Sequence, residues 1–205
     1  TYNFINDKFK DNKIDRSDLC ISKNNLDKEY NFLQIDLENI NFNKNYYDLV
    51  YSNLFLHLTP NFEHCLRCIN DSLKPNGFFI STIPDKDCMY QLLNSMYHAD
   101  LDMYNGVYQR ANPTIEIDRI LKILKNLNFD APSIYSDNIS IEYSSFNKML
   151  SDIKKMNISY SYKDKKKIFE KKEYFKKLEK FFKENYYKNN YLLDIKINII
   201  SCWKK

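Results

Sequence analysis

The sequence predicts an α/β protein built on a mostly parallel sheet that closes with an antiparallel C-terminal strand. Three observations carry this. Short apolar runs at 30–36, 47–54 and 77–83 read as buried strands, and the last two are joined by a capped amphipathic segment and a tight Pro-Asn-Gly stop. A strand, helix, strand unit of that length closes as a right-handed parallel crossover. Finally, residues 191–203 alternate apolar and polar after a long excursion, so they are expected to add to the sheet edge, antiparallel to the strand before them.

Taken in order, residues 1–13 place Tyr2, Phe4, Ile5 and Phe9 on one face of a short helix, whereas "NKIDRSDLCIS" is polar enough to support only a strand end. "YNFLQID" enters the core through Phe32, Leu33 and Ile35. "YDLVYSNL" carries apolar residues on both faces, the mark of a strand covered by helices on each side. Thr59-Pro60 reads as a helix cap with proline at the first helical position, followed by Phe62, Cys65, Leu66, Ile69 and Leu73 at three-four spacing. Lys74-Pro75-Asn76-Gly77 turns the chain into "GFFISTI". Residues 86–104 read as helical, and Thr114 caps a helix that turns Ile117, Ile120, Leu121, Leu124 and Leu127 to the sheet. A strand at 133–143, helices at 144–156 and 163–185, and the last strand complete the order. Ile168, Phe175, Leu178 and Phe182 fall on one face of the second of those helices, and Leu193, Ile195, Ile197 and Ile199 on one face of the strand.

A chain of 205 residues is long enough for one sizeable core, so residues 1–205 are expected to form a single domain with a helical insertion at about 144–186. The net charge of +4 is not spread over the fold: residues 163–184 hold ten lysines against five acidic residues. That localisation argues against a nucleic-acid partner. It leaves a solvated helix face, or a peripheral membrane contact through the Lys-rich helix. Five cysteines in no framework spacing predict no disulfides, and the pair Cys65/Cys68 lacks the second pair that zinc needs, so packing is the better reading and no metal is expected. No apolar run approaches the roughly 20 residues that span a bilayer. The sequence does not open with methionine, and a segment upstream of Thr1 is expected.

"YDLVYSNLFLHL", the turn-strand "LKPNGFFIST" and the terminal hairpin together resemble the class I S-adenosylmethionine-dependent methyltransferases of the methyltransferase domain 11 kind. More specifically, "GFFISTIPDKDCMYQLLNSM", "NISIEYSSFNKMLSDIKKMNIS" and "KINIISCWKK" resemble the mitochondrial complex I assembly factor branch, which includes an arginine hydroxylase. Its more distant relatives methylate a malonyl-carrier thioester in biotin synthesis. The resemblance implies a Rossmann-like methyltransferase sheet whose first strand and Gly-rich loop lie before Thr1; the only glycines here are Gly77 and Gly106.

The resemblance also implies S-adenosyl-L-methionine as cofactor, bound where open parallel sheets take ligands, at the carboxyl ends of their strands. Asp18, with Asp15 behind it, is the candidate to accept hydrogen bonds from the ribose hydroxyls. A charge in a polar loop reads nearly as well for Asp18. Asp36 would accept from the adenine amino group while Leu37 covers the ring, with a helix or turn cap as the lesser alternative. Ser52, Asn53 and Leu54 would flank the cofactor. His57 is the candidate catalytic residue, as base or orienting group, with a packed histidine as the even alternative. Tyr90, Tyr104 and Arg110 are expected to line an acceptor pocket. The expected function is methyl transfer to a protein side chain or a carrier-bound acyl group. Its alternatives are cofactor-bound arginine hydroxylation in respiratory-complex assembly and a non-catalytic assembly protein retaining the fold. The implied location is mitochondrial, and cytoplasmic otherwise.

Overall fold

A computed structural model describes residues 13–18, 31–34, 42–155 and 170–205. Two short strands, β1 (Asp15–Asp18) and β2 (Asn31–Gln34), pair in parallel. A second sheet holds β3 (Tyr47–Asn53), β4 (Leu73–Pro84), β5 (Phe129–Tyr143), β6 (Tyr187–Lys188) and β7 (Asn190–Lys204). Its order is β3-β4-β7-β5, with β6 paired to β7. The helices are α1 (Phe62–Ser72), α2 (Tyr90–Tyr104), α3 (Ile117–Asn126), α4 (Phe146–Lys155) and α5 (Lys172–Tyr186). The expected N-terminal helix at 1–13, Ile35 and the first part of the Lys-rich segment lie outside the described residues.

The parallel crossover forms as the spacing predicts: β3 pairs in parallel with β4, and α1 connects them. The cap does not. Asn61 is the residue whose side chain accepts from the His64 amide at 3.0 Å, and Thr59 sits outside the helix accepting from the Asn61 amide at 3.3 Å. Asn61 wins because the 3-10 turn before it holds Thr59 in an extended conformation, two residues too early. Thr114 likewise precedes its helix by too much, and Glu116 occupies the cap position.

The last strand departs most from expectation. β7 does not sit at the edge; it inserts between β4 and β5, antiparallel to both. Nor does it bury one face. Tyr191, Leu193 and Ile195 pack under α2, α4 and α5, whereas Ile200 and Cys202 pack under α1 and α3 with Phe79, Ile83 and Phe129. These sets differ by an odd number of residues, so they lie on opposite faces. Helical cover therefore changes sides along one strand, and Ile197 and Ile199 are only half-buried at the crossover.

β3 is also less enclosed than its apolar pattern implies. Tyr47 and Val50 pack on the core, but Leu49 and Tyr51 are 41% and 40% exposed. They share a face with Phe78 and Trp203, opposite to α1 and α3, that no described helix covers. In α5 Leu178 and Phe182 are buried as expected, joined by Tyr174, whereas Phe175, expected on the same face, is exposed. Its lysines pair with glutamates at Lys183–Glu179 and Lys180–Glu184.

Gly77 is required by close approach. A Cβ there would lie 2.8 Å from the Lys74 carbonyl oxygen and 3.2 Å from the Leu73 Cβ, while Asn76 takes the positive φ of 62° in the same turn. At Gly106 the nearest atom is 3.8 Å away. Gly77→Ala is therefore expected to cost about 1–3 kcal/mol in urea unfolding, and Gly106→Ala less than about 0.5 kcal/mol.

Candidate functional site

The carboxyl ends of β3 and β4 lie side by side, where an open parallel arrangement presents its ligand edge. β3 ends abruptly because Leu54 takes a left-handed conformation with φ 49°. For a leucine that costs of order 1–3 kcal/mol, and such strain persists only where neighbours enforce it. Here they do: the Leu54 amide donates to both the carbonyl oxygen and Oγ1 of Thr82, at 3.0 and 3.1 Å, and Thr82 Oγ1 donates to Asn53 Oδ1 at 2.5 Å. The chain is thrown off the sheet, leaving Asn53 exposed at the strand end. Just inside, the buried hydroxyl of Ser52 has no hydrogen-bond partner among the described residues, and neither does the hydroxyl of its cross-strand neighbour Ser81.

Beyond this turn a single 3-10 turn, Leu56–Leu58, places His57 in the floor of a cavity of about 210 Å³. The cavity is walled by Pro84 at the end of β4, by Asp85, Cys88 and Met89 just after it, and by Gln109, Asn112 and Thr114 from the segment between α2 and α3. His57 is 8% exposed, and neither ring nitrogen has a partner among the described residues. Burial pushes its pKa down to about 4, so the ring is neutral, with one nitrogen able to donate and the other to accept. Burial also pushes the Cys88 thiol up to about 11. At Asp85 burial works to raise the carboxyl, but hydrogen bonds from the Asp87 amide at 3.0 Å and Asn198 Nδ2 at 3.0 Å outweigh it and hold the group below its ordinary range.

Of the residues singled out by sequence, Ser52, Asn53, Leu54 and His57 come together at this edge. Asp18 is the last residue of β1, and its side chain, together with Asp36 and Leu37, lies outside the described residues. Asp15 is at the wrong end of that strand and accepts from Tyr47 Oη at 3.2 Å. Tyr90 lies in a separate cleft with Asp87, Gln91, Asp194 and Lys196. Tyr104 and Arg110 do not line the cavity either; they join in a buried ion network with Glu170. Asp85, Cys88, Gln109 and Asn112 went unnoticed, although Pro84-Asp85 directly after a buried strand marks a carboxylate at its carboxyl end. Among the described residues no His, Cys, Asp and Glu cluster is arranged to hold a metal ion, and Cys65 packs in the core.

Comparison with known proteins fits this geometry. Residues 9–81 match the methyltransferase-domain family. A structure of an S-adenosylmethionine-dependent methyltransferase from Archaeoglobus fulgidus superposes with a TM-score of 0.51 at 15% identity, covering 99% of this chain and 80% of that one. The superposition shows a Rossmann-like fold, and the family match covers about a third of the chain. By sequence the chain is similar to "Arginine-hydroxylase NDUFAF5, mitochondrial" of Mus musculus, 27% identical over 139 residues, which are 67% of this chain and 40% of that protein. It is also similar to RP459 of Rickettsia prowazekii, 25% identical over 143 residues, 67% of this chain and 63% of that one. The chain thus spans well under half the length of the mouse relative.

Because the folded His57 pKa of about 4 lies below the unfolded value of about 6.5, the unfolded chain binds more protons between those limits. Stability is full above that window, falls as pH drops through it, and levels below it. The expected loss is about 3 kcal/mol, and urea unfolding of His57→Leu should lack this component between about pH 6.5 and 4.

Proposed function

We propose that the chain forms most of the catalytic domain of an S-adenosylmethionine-dependent methyltransferase, with the cofactor at the carboxyl end of β3 and the methyl acceptor in the His57 cavity. The observation that carries this reading is the strained Leu54 turn beside the unpartnered Ser52 hydroxyl, immediately next to that cavity. Strain of this kind is maintained where a backbone must be presented to a ligand, and a buried hydroxyl without a partner is costly unless something meets it. Asp18 would take the ribose hydroxyls, Asp36 and Leu37 the adenine, and Ser52, Asn53 and Leu54 the remainder. When bound, the cofactor supplies an electrophilic sulfonium methyl group. The chain's own part is to hold the acceptor in line and dry. Neutral His57 is too weak a base to keep a proton at pH 7, so it orients the acceptor by donating and accepting hydrogen bonds; proximity of this kind is worth roughly 7 to 11 kcal/mol. The cavity's size suits a side chain or the end of an acyl group.

The name of the mouse relative, a mitochondrial arginine-hydroxylase, favours a second reading, hydroxylation of an arginine; the resemblance in sequence would place that arginine in respiratory-complex assembly, with the cofactor bound. Asp85 supports it physically, because its carboxylate accepts two hydrogen bonds and retains lone pairs for a guanidinium. The third reading, an assembly protein that keeps the fold without the chemistry, predicts no cofactor binding. Peripheral membrane contact would draw on the exposed Phe175 and lysines of α5.

Calorimetric titration of S-adenosylhomocysteine into the full-length protein separates the first two readings from the third; absence of heat and of a thermal shift contradicts both. Mass spectrometry of proteins incubated with the enzyme and S-adenosylmethionine then separates methyl transfer from hydroxylation as a gain of about 14 against about 16 mass units.

A further inference from the structure

The segment at 105–116, between α2 and α3, supplies one wall of the cavity through Gln109, Ala111, Asn112, Pro113 and Thr114. It contains no helix and only an isolated bridge at Ala111, so regular backbone pairing does not explain how it is held. Arg110 sits in its middle and points away from the cavity that its neighbours line. Its Nε donates to Asp100 Oδ2 at 3.0 Å and its Nη2 bonds Asp100 Oδ1, a two-point grip on a carboxylate that is wholly buried in α2. Asp100 Oδ2 also accepts from the Tyr108 amide at 3.1 Å, so the same carboxylate fixes the backbone two residues earlier. Arg110 Nη1 donates to Glu170 Oε1 at 2.7 Å, and Glu170 Oε2 accepts from Tyr104 Oη at 2.5 Å. The guanidinium lies 4.9 Å from the Tyr174 ring centre and 5.6 Å from that of Tyr108.

We infer that Arg110 is a positioning residue for the acceptor cavity: its ion triad with Asp100 and Glu170 locks the 105–116 wall against the strand ends and keeps water off His57. The physical reason is the buried carboxylate. An unpaired charge at Asp100 is far costlier than displacement of an irregular segment, so losing the Arg110 grip is relieved by the wall moving outward to admit water. Lysine cannot substitute, because a single ammonium cannot make the two-point contact, reach Glu170 and stack on Tyr174 together. The triad also ties α2 to the residues entering α5, so the wall is referenced to both helices that cover this end of β7.

The consequence for turnover rests on the methyltransfer reading, whereas the positional claim does not. Histidine 13C-1H NMR titration of the full-length protein tests the position directly, with the His57 resonance identified by its loss in His57→Gln. In Arg110→Lys the His57 pKa is expected to rise from about 4 by at least about one unit toward the solvated value of about 6.5. Glu170→Gln, which leaves the grip on Asp100 in place, is expected to give a smaller rise of about half a unit, and it decides the question should Arg110→Lys fail to fold. Phe146→Leu loosens the core through Phe182 and Tyr191 without touching the wall, and should leave His57 unmoved. An unchanged His57 titration in the folded variants, or an equal shift in Phe146→Leu, overturns the proposal. Should methyl transfer be confirmed, Arg110→Lys is expected to raise the acceptor KM about tenfold or more with a smaller change in kcat, the pattern of lost positioning.

Discussion

Insertion of β7 between β4 and β5 is the constraint on which the rest of the structure depends. Its first half is covered on one face by α2, α4 and α5, and its second half on the other by α1 and α3. A strand used this way belongs to both cores, so neither helical layer packs independently of the other. Eleven consecutive residues of β5, Ser133 to Tyr143, face β7 from Ser201 back to Tyr191, with two more pairs beyond a bulge at Asp130/Ser133, and β4 is paired to the same strand from Phe78 to Pro84. The long antiparallel contact makes up for the openness of β3, which among the described residues pairs with β4 alone.

The site inherits its geometry from that strand. Asn198 is the one amide buried on the α1 and α3 face of β7, and it spends both ends of its side chain on fixing neighbours: Nδ2 donates to Asp85 and Oδ1 accepts from Ser136 Oγ at 2.6 Å. The residue after β4 is thereby held by the strand next to it. Thr82, opposite Ile199, enforces the Leu54 turn. The strained end of β3 and the His57 cavity are thus two consequences of one register between β4 and β7.

Much of this was legible in the residues. The three-four spacing of 62–73, the Gly77 turn, the parallel crossover and the antiparallel last strand all follow from period and turn chemistry, because each is decided by neighbours in sequence. The face change in β7 was not, since Ile197 and Ile199 continue the alternation through the point where cover switches sides; only tertiary packing decides which alternate residues are buried. The exposure of Leu49 and Tyr51 is hidden for the same reason. Ser52, Asn53, Leu54 and His57 were singled out because strand ends carry ligands in open parallel sheets, and the structure places them together at that edge. Asp85, Gln109 and Asn112 come from segments far apart in sequence with no spacing to betray them. Arg110 was placed in the right segment with the wrong orientation: the alternation of an irregular stretch sends 109 and 111 to the cavity and 110 to the ion triad.

Ligand binding at the joined ends of β3 and β4 is the proposal on which the functional reading stands. Amide 1H-15N spectra of the full-length protein titrated with S-adenosylhomocysteine test it most directly. Saturable shifts are expected to concentrate at residues 52–58 and 82–85, to fade along β7 and to be absent from α5. Saturable binding that leaves 52–58 unmoved, or shifts centred on α5 or the outer edge of β5, would contradict it.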